Sequence, residues 1–103
     1  MGMFDWYRPS GQIQCPVCGV VLKEWQGKDG PNALFVWSEG ELSPVDQPID
    51  EDARISEEAR SAFRLPEAFE IYSYDCQQHV VLAKCRTRDS IWTETNIISA
   101  NAI

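Results

Sequence analysis

The sequence is short of the groups from which most catalytic and nucleic-acid-binding sites are built. Among 103 residues there is one histidine, and 9 bases stand against 16 acids. A single imidazole leaves little for general acid–base or nucleophilic catalysis. Acid pairs such as Glu57 and Glu58 fall on an expected surface helix with no sign of a pocket, so the chain is read as a non-enzyme. A duplex carries one negative charge per about 1.7 Å and is met by a basic face; no such face is visible, and nucleic acid is disfavoured as a partner. No apolar run approaches the roughly 20 residues of a transmembrane helix. The opening residues carry Asp5, Arg8 and Pro9 where a signal peptide needs an apolar core. Gly2 invites a myristoylation reading, but Trp6 stands where Ser or Thr is wanted. The expected location is therefore the cytoplasm. Repeats and low-complexity tracts are also missing, and the length fits one domain over residues 1–103.

What is present is unevenly charged. Between Glu39 and Glu58 lie eight acids against Arg54 alone, so this stretch carries the whole net charge of −7 and the rest of the chain balances. An acidic surface repels phosphate backbones and anionic lipid and steers basic proteins inward. Asp50, Glu51 and Asp52 form its densest run and are the expected partner-binding residues. The bland reading of such a run is a solvated loop.

Local patterns divide the chain into short elements. Residues 1–14 form an arm in which Phe4, Trp6 and Tyr7 can pack before Pro9-Ser10-Gly11 turns the chain. Val20–Gln26 and Ala33–Trp37 flank the turn-rich Gly27–Asn32 and are expected to pair as a hairpin. The Gly27-Lys28-Asp29-Gly30 run lacks the glycine spacing and the Ser or Thr of a phosphate loop, and turn chemistry explains it. An acidic insertion over 39–66 holds Pro44 and Pro48, then a short helix from Ser56 to Phe63, with Ser56 as N-cap and Pro66 as stop. Phe69–Tyr74, Val80–Arg86 and Ser90–Ile98 are expected strands, the last two joined by a turn at Thr87-Arg88-Asp89. The sum is a mostly β (α+β) fold of antiparallel hairpins with one short helix.

Cys15-Pro16-Val17-Cys18-Gly19 is the most informative segment. Two thiolates three positions apart on a tight turn can reach one tetrahedral ion, and Gly19 can take the positive φ that lets the chain leave as a strand. Cys76-Gln77-Gln78-His79 supplies a matching half. Together the two segments resemble the paired knuckles of a zinc ribbon, in which each knuckle leads into a β-hairpin and both clamp one structural zinc. The resemblance implies zinc held by Cys15, Cys18, Cys76 and His79. It departs from the family in lacking a glycine in the second knuckle and in the long spacing between knuckles. It covers about half the chain and says little about role.

Other readings of these residues remain open at this point. A CxxC pair serves thiol redox chemistry in a βαβ context, which the run into Val20–Gln26 does not supply. Cys85 rivals His79 as fourth ligand, although strand alternation places it with Val81 and Ala83 as a buried thiol; a Cys85–His79 dyad would exist only without the metal. Trp25, Phe35 and Trp37 are either core or an exposed platform for a protein. Three thiolates and an imidazole fill a tetrahedron, so the metal is expected to be structural, and its loss to unfold most of the molecule. The functional expectation is a zinc-stabilised protein-interaction module, in one version an immunity protein or antitoxin blocking a basic partner. A nucleic-acid-associated zinc ribbon and a small metal-dependent or thiol redox enzyme are the alternatives.

Overall fold

A computed structural model describes residues 3–102; Gly2, and with it the myristoylation question, lies outside the described residues. The fold is mostly β with little helix. Strands β1 (Asp5–Arg8), β2 (Ile13–Gln14), β3 (Val21–Leu22), β4 (Trp25–Gly27) and β5 (Val36–Ser38) precede the acidic segment. After it come β6 (Ala68–Ser73), β7 (His79–Arg88) and β8 (Ile91–Ala102). Six strands make a mixed sheet in the order β5-β1-β4-β6-β7-β8, and β2 and β3 pair as a separate two-stranded sheet.

The expected hairpin between Val20–Gln26 and Ala33–Trp37 does not form. The first run is split: Val21 and Leu22 pair with Gln14 and Ile13, whereas Trp25–Gly27 pairs with Tyr7–Asp5. At the break, the backbone N–H groups of Lys23 and Glu24 both donate to the Asp75 carboxylate, at 2.5 and 2.7 Å. The second run is separated from the first by β1, which lies parallel to β5 with Trp6 opposite Val36 and Arg8 opposite Ser38. Thus part of the N-terminal arm, Asp5–Arg8, is an interior strand.

The reason for that insertion is Asp5. Its side chain is fully buried, and its carboxylate accepts from Ala33 N and Phe35 N on Oδ1, and from Asn32 N and Trp37 Nε1 on Oδ2, at 2.9–3.2 Å. A buried carboxylate is tolerated only when its oxygens are satisfied in this way. The strand carrying Asp5 therefore draws the loop after β4 around itself. Gly27 assists: a Cβ there would sit 2.8 Å from the Tyr7 ring and 3.0 Å from the Glu70 carbonyl oxygen.

The C-terminal half follows the sequence closely. β6 pairs antiparallel with β7, and β7 with β8 along a long hairpin. Its turn falls at Asp89 and Ser90, both at positive φ (53° and 67°), the geometry that two-residue hairpin loops favour. β7 alternates as expected, burying Val81, Ala83 and Cys85 completely while Lys84, Arg86 and Arg88 face outward. The helix is shorter than the expected Ser56–Phe63: α1 spans Glu57–Arg60, with Ser56 Oγ accepting from Ala59 N.

The core settles the tryptophan question. Trp25, Trp37 and Trp92 are at most 1 % exposed, and Phe35 is fully buried, so these residues are not an exposed platform. Tyr7, Phe69 and Trp92 form a triangle of rings 5.4–5.9 Å apart, the spacing at which aromatic pairs add to area burial. Beyond β5 the chain reaches back to β8, where Gly40 N donates to Trp92 O at 2.8 Å and Thr95 Oγ1 to Glu39 Oε1 at 2.7 Å. These bonds tie the two ends of the six-stranded sheet at one corner.

Candidate metal centre

Each half of the cysteine–histidine constellation sits at the tip of a hairpin. The first is the turn between β2 and β3. There Gly19 N donates to Cys15 O at 2.9 Å, Cys15 N donates to Val20 O at 2.8 Å, and Gly19 takes φ +76°. The second is the turn between β6 and β7, closed by His79 N donating to Cys76 O at 3.1 Å. No residue of this second turn needs positive φ, which is why it works without the glycine of a zinc-ribbon knuckle.

The fold brings the two tips together. The ligand atoms of Cys15, Cys18, Cys76 and His79 all lie within 4.8 Å of one another. Cys18 Sγ is 2.9 Å from Cys76 Sγ, and Cys76 Sγ is 3.3 Å from His79 Nδ1. All four cysteines are free thiols. A tetrahedral ion with bonds of about 2.0–2.3 Å separates its ligand atoms by about 3.3–3.8 Å, so the group fits one ion after small adjustments. Cys15 and Cys76 are buried, His79 is half-buried and Cys18 is exposed. Cys85, the rival fourth ligand, is not among these residues. It is fully buried on β7, 3.9 Å from Thr95 Oγ1, and burial raises its thiol to about 12.

The electrostatics of the first knuckle favour anionic sulfur at Cys15. The backbone N–H of Cys18 directed at Cys15, together with that of Val17, lowers the Cys15 thiol to about 7 despite its burial. Cys18 is moved the other way, chiefly by its contact with Cys76. A metal ion requires all the thiols as thiolates, and backbone donors around the sulfurs reduce the cost of gathering that charge.

Asp75 helps to position the two halves of the site, and the sequence reading missed it. It immediately precedes Cys76, and its carboxylate grips the backbone at Lys23 and Glu24, just beyond the first knuckle. It therefore fastens the exit of one knuckle to the entry of the other without any metal. Its only signal in the sequence is its position beside Cys76.

None of the predicted partner-binding acids belongs to this group. Asp50, Glu51 and Asp52 are exposed around a single 3-10 turn over Glu51–Ala53. Gln47 pins that segment: its Nε2 donates to Ala33 O at 2.9 Å, and its Oε1 accepts from Ile55 N at 2.7 Å. Glu39 is turned inward onto Thr95 and Ser10, so it does not belong to the free acidic surface. No helix among the described residues is long and apolar enough to cross a membrane. Set against known protein families, curated proteins and solved structures, the chain matches none. Fold and site together define a β-sheet protein with a Cys3His group able to hold a metal ion.

Proposed function

We propose that the chain is a zinc-stabilised, non-enzymatic protein-interaction module of the cytoplasm, built on a zinc-ribbon-like pair of knuckles. Three thiolates and one imidazole are a donor set of structural zinc, and a closed tetrahedron leaves no position for water or substrate. The supporting observation for an interaction role is the anchored acidic segment. Gln47 holds it from both sides while Asp50, Glu51 and Asp52 point their charge into solvent. A fixed acidic ridge recognises a basic protein with less ordering entropy than a slack loop would. An immunity or antitoxin role against a basic, nucleic-acid-processing protein is the specific version of this reading.

The test is affinity capture with the tagged chain and with a variant carrying Asp50→Ser, Glu51→Ser and Asp52→Ser. Basic proteins retained by the wild type at low salt and lost by the variant support the reading. Identical captured sets from both remove it.

One observation favours the rival nucleic-acid-associated ribbon. Lys84, Arg86 and Arg88 line the outward face of β7, a third of all the bases in the chain. Glu70 lies opposite Lys84 and Glu94 opposite Arg86, which offsets much of that stripe. Salt-sensitive retention on immobilised RNA or DNA, abolished by Lys84→Ser with Arg86→Ser, would shift the assignment to this reading.

A further inference from the structure

The two outer strands of the six-stranded sheet are treated differently. On β5, the outer edge is occupied: Val36 N donates to Asp46 O at 2.9 Å and Val45 N to Val36 O at 2.8 Å. On β8, residues 39–40 meet only the beginning, at Trp92 and Thr95. Among the described residues, the backbone of Thr95–Ala102 is paired with β7 alone. An open row of N–H and C=O groups is a template for another strand, and proteins blunt such rows with Lys, Pro, bulges or short length; this edge has one bulge, at Ile98. Thr95-Asn96-Ile97-Ile98-Ser99-Ala100-Asn101-Ala102 contains no charge, no proline and no glycine. In the middle of it, Ile98 is 51 % exposed.

We infer that this edge is a homodimer interface, in which β8 of two copies pairs antiparallel about a two-fold axis near Ile98. A strand edge pairing with itself is the simplest isologous interface, because each copy supplies the same donors and acceptors. Charge selects a second copy as the occupant. The molecule carries −7, yet this stretch of edge carries none of it, so two copies can meet here without placing like charges opposite each other. A basic peptide would find no carboxylate along Thr95–Ala102 to bind. Pairing about Ile98 sets the two exposed isoleucines side by side and sets Thr95 opposite the second copy's Asn101. Over the seven residues Thr95–Asn101 the paired edges run for about 24 Å. Ile98 is the extra residue where the register with β7 shifts, so it has no partner of its own on β7.

The experiment is native mass spectrometry and light scattering of the full chain from low to high micromolar concentration. Hydrogen exchange is measured at both ends of that range. The expected result is a reversible dimer, with the amides of Thr95–Ala102 gaining protection as concentration rises. Ile98→Lys places two ammonium groups face to face and should raise the dimer dissociation constant at least about tenfold, equivalent to 1.4 kcal/mol. Met3→Lys, an equally exposed change just before β1 and outside the metal-binding turns, should leave the dimer intact. A wild-type chain that stays monomeric throughout overturns the inference. So does a dimer whose β8 amides show no concentration dependence, whatever the folding of the lysine variants.

Discussion

Replacing Asp5 by Asn exchanges one carboxylate oxygen for an amide that donates instead of accepting. In the native structure each oxygen already receives two donors: Ala33 N and Phe35 N on one, Asn32 N and Trp37 Nε1 on the other. Whichever way the Asn amide turns, two N–H groups face another donor inside a buried site. Each buried donor left without a partner costs about 1–3 kcal/mol, so Asp5→Asn should destabilise by about 2–6 kcal/mol. That is a large share of the 5–15 kcal/mol typical of a whole domain, and about 4–8 °C of Tm accompanies each kcal/mol at this size. The assay is urea unfolding followed by tryptophan fluorescence, since Trp37 bonds directly to the carboxylate. Trp37→Phe provides the cycle: the Trp37 indole no longer meets a reversed amide, so Asn at position 5 should cost less in that background. An Asp5→Asn protein within about 1 kcal/mol of wild type would refute the view that this carboxylate organises the N-terminal half.

Metal removal should be more local than the sequence alone suggests. Tyr7, Trp25, Trp37, Phe69 and Trp92 are carried by the paired strands of the six-stranded sheet, whereas the two-stranded sheet that holds the first knuckle pairs at only two positions, although its Leu22 and the nearby Cys15 reach the same core. Chelation, or His79→Ala, is therefore expected to speed hydrogen exchange over residues 13–24 and 75–80 while the near-ultraviolet signal of the tryptophans persists; loss of both together would contradict this. Alkaline pH should weaken the fold. The Cys85 thiol rises from 9.0 to about 12 on burial, so the native state holds a proton that the unfolded chain releases, and stability is complete below pH 9 and falls between 9 and 12. Tyr7, raised by burial and by Asp5, adds the same sign above pH 10. Cys85→Ala should flatten the decline between pH 9 and 10 in urea titrations, and an unchanged slope there would rule out Cys85 as its source. Gln47→Ala strips two hydrogen bonds from the acidic segment and should cost about 1–3 kcal/mol, with faster proteolysis between Asp50 and Arg54 as the readout.

The candidate metal-binding group was legible because its evidence is local. A Cys-Pro-Val-Cys-Gly turn and a Cys-Gln-Gln-His turn each carry their geometry within a few residues, and a metal site needs only that two such turns meet. The C-terminal hairpin was legible for the same reason: a period-two apolar pattern in β7 and a polar turn fix pairing between neighbours in sequence. The N-terminal half was not, since proximity in sequence made Val20–Gln26 and Ala33–Trp37 look like partners. Nothing in residues 1–14 announces that Asp5 will bond to atoms 27–32 positions away and draw its strand between them. Cys85 against His79, and core against platform for the tryptophans, were likewise undecided until the strands were placed. Both depend on which faces meet, and that is set by long-range packing and by the rule that a buried charge must find its donors. Thus the sequence by itself determined the β character, the acidic segment and the metal-binding group; only the tertiary structure decided the strand order, the reach of Asp75 between the knuckles and the open edge of β8.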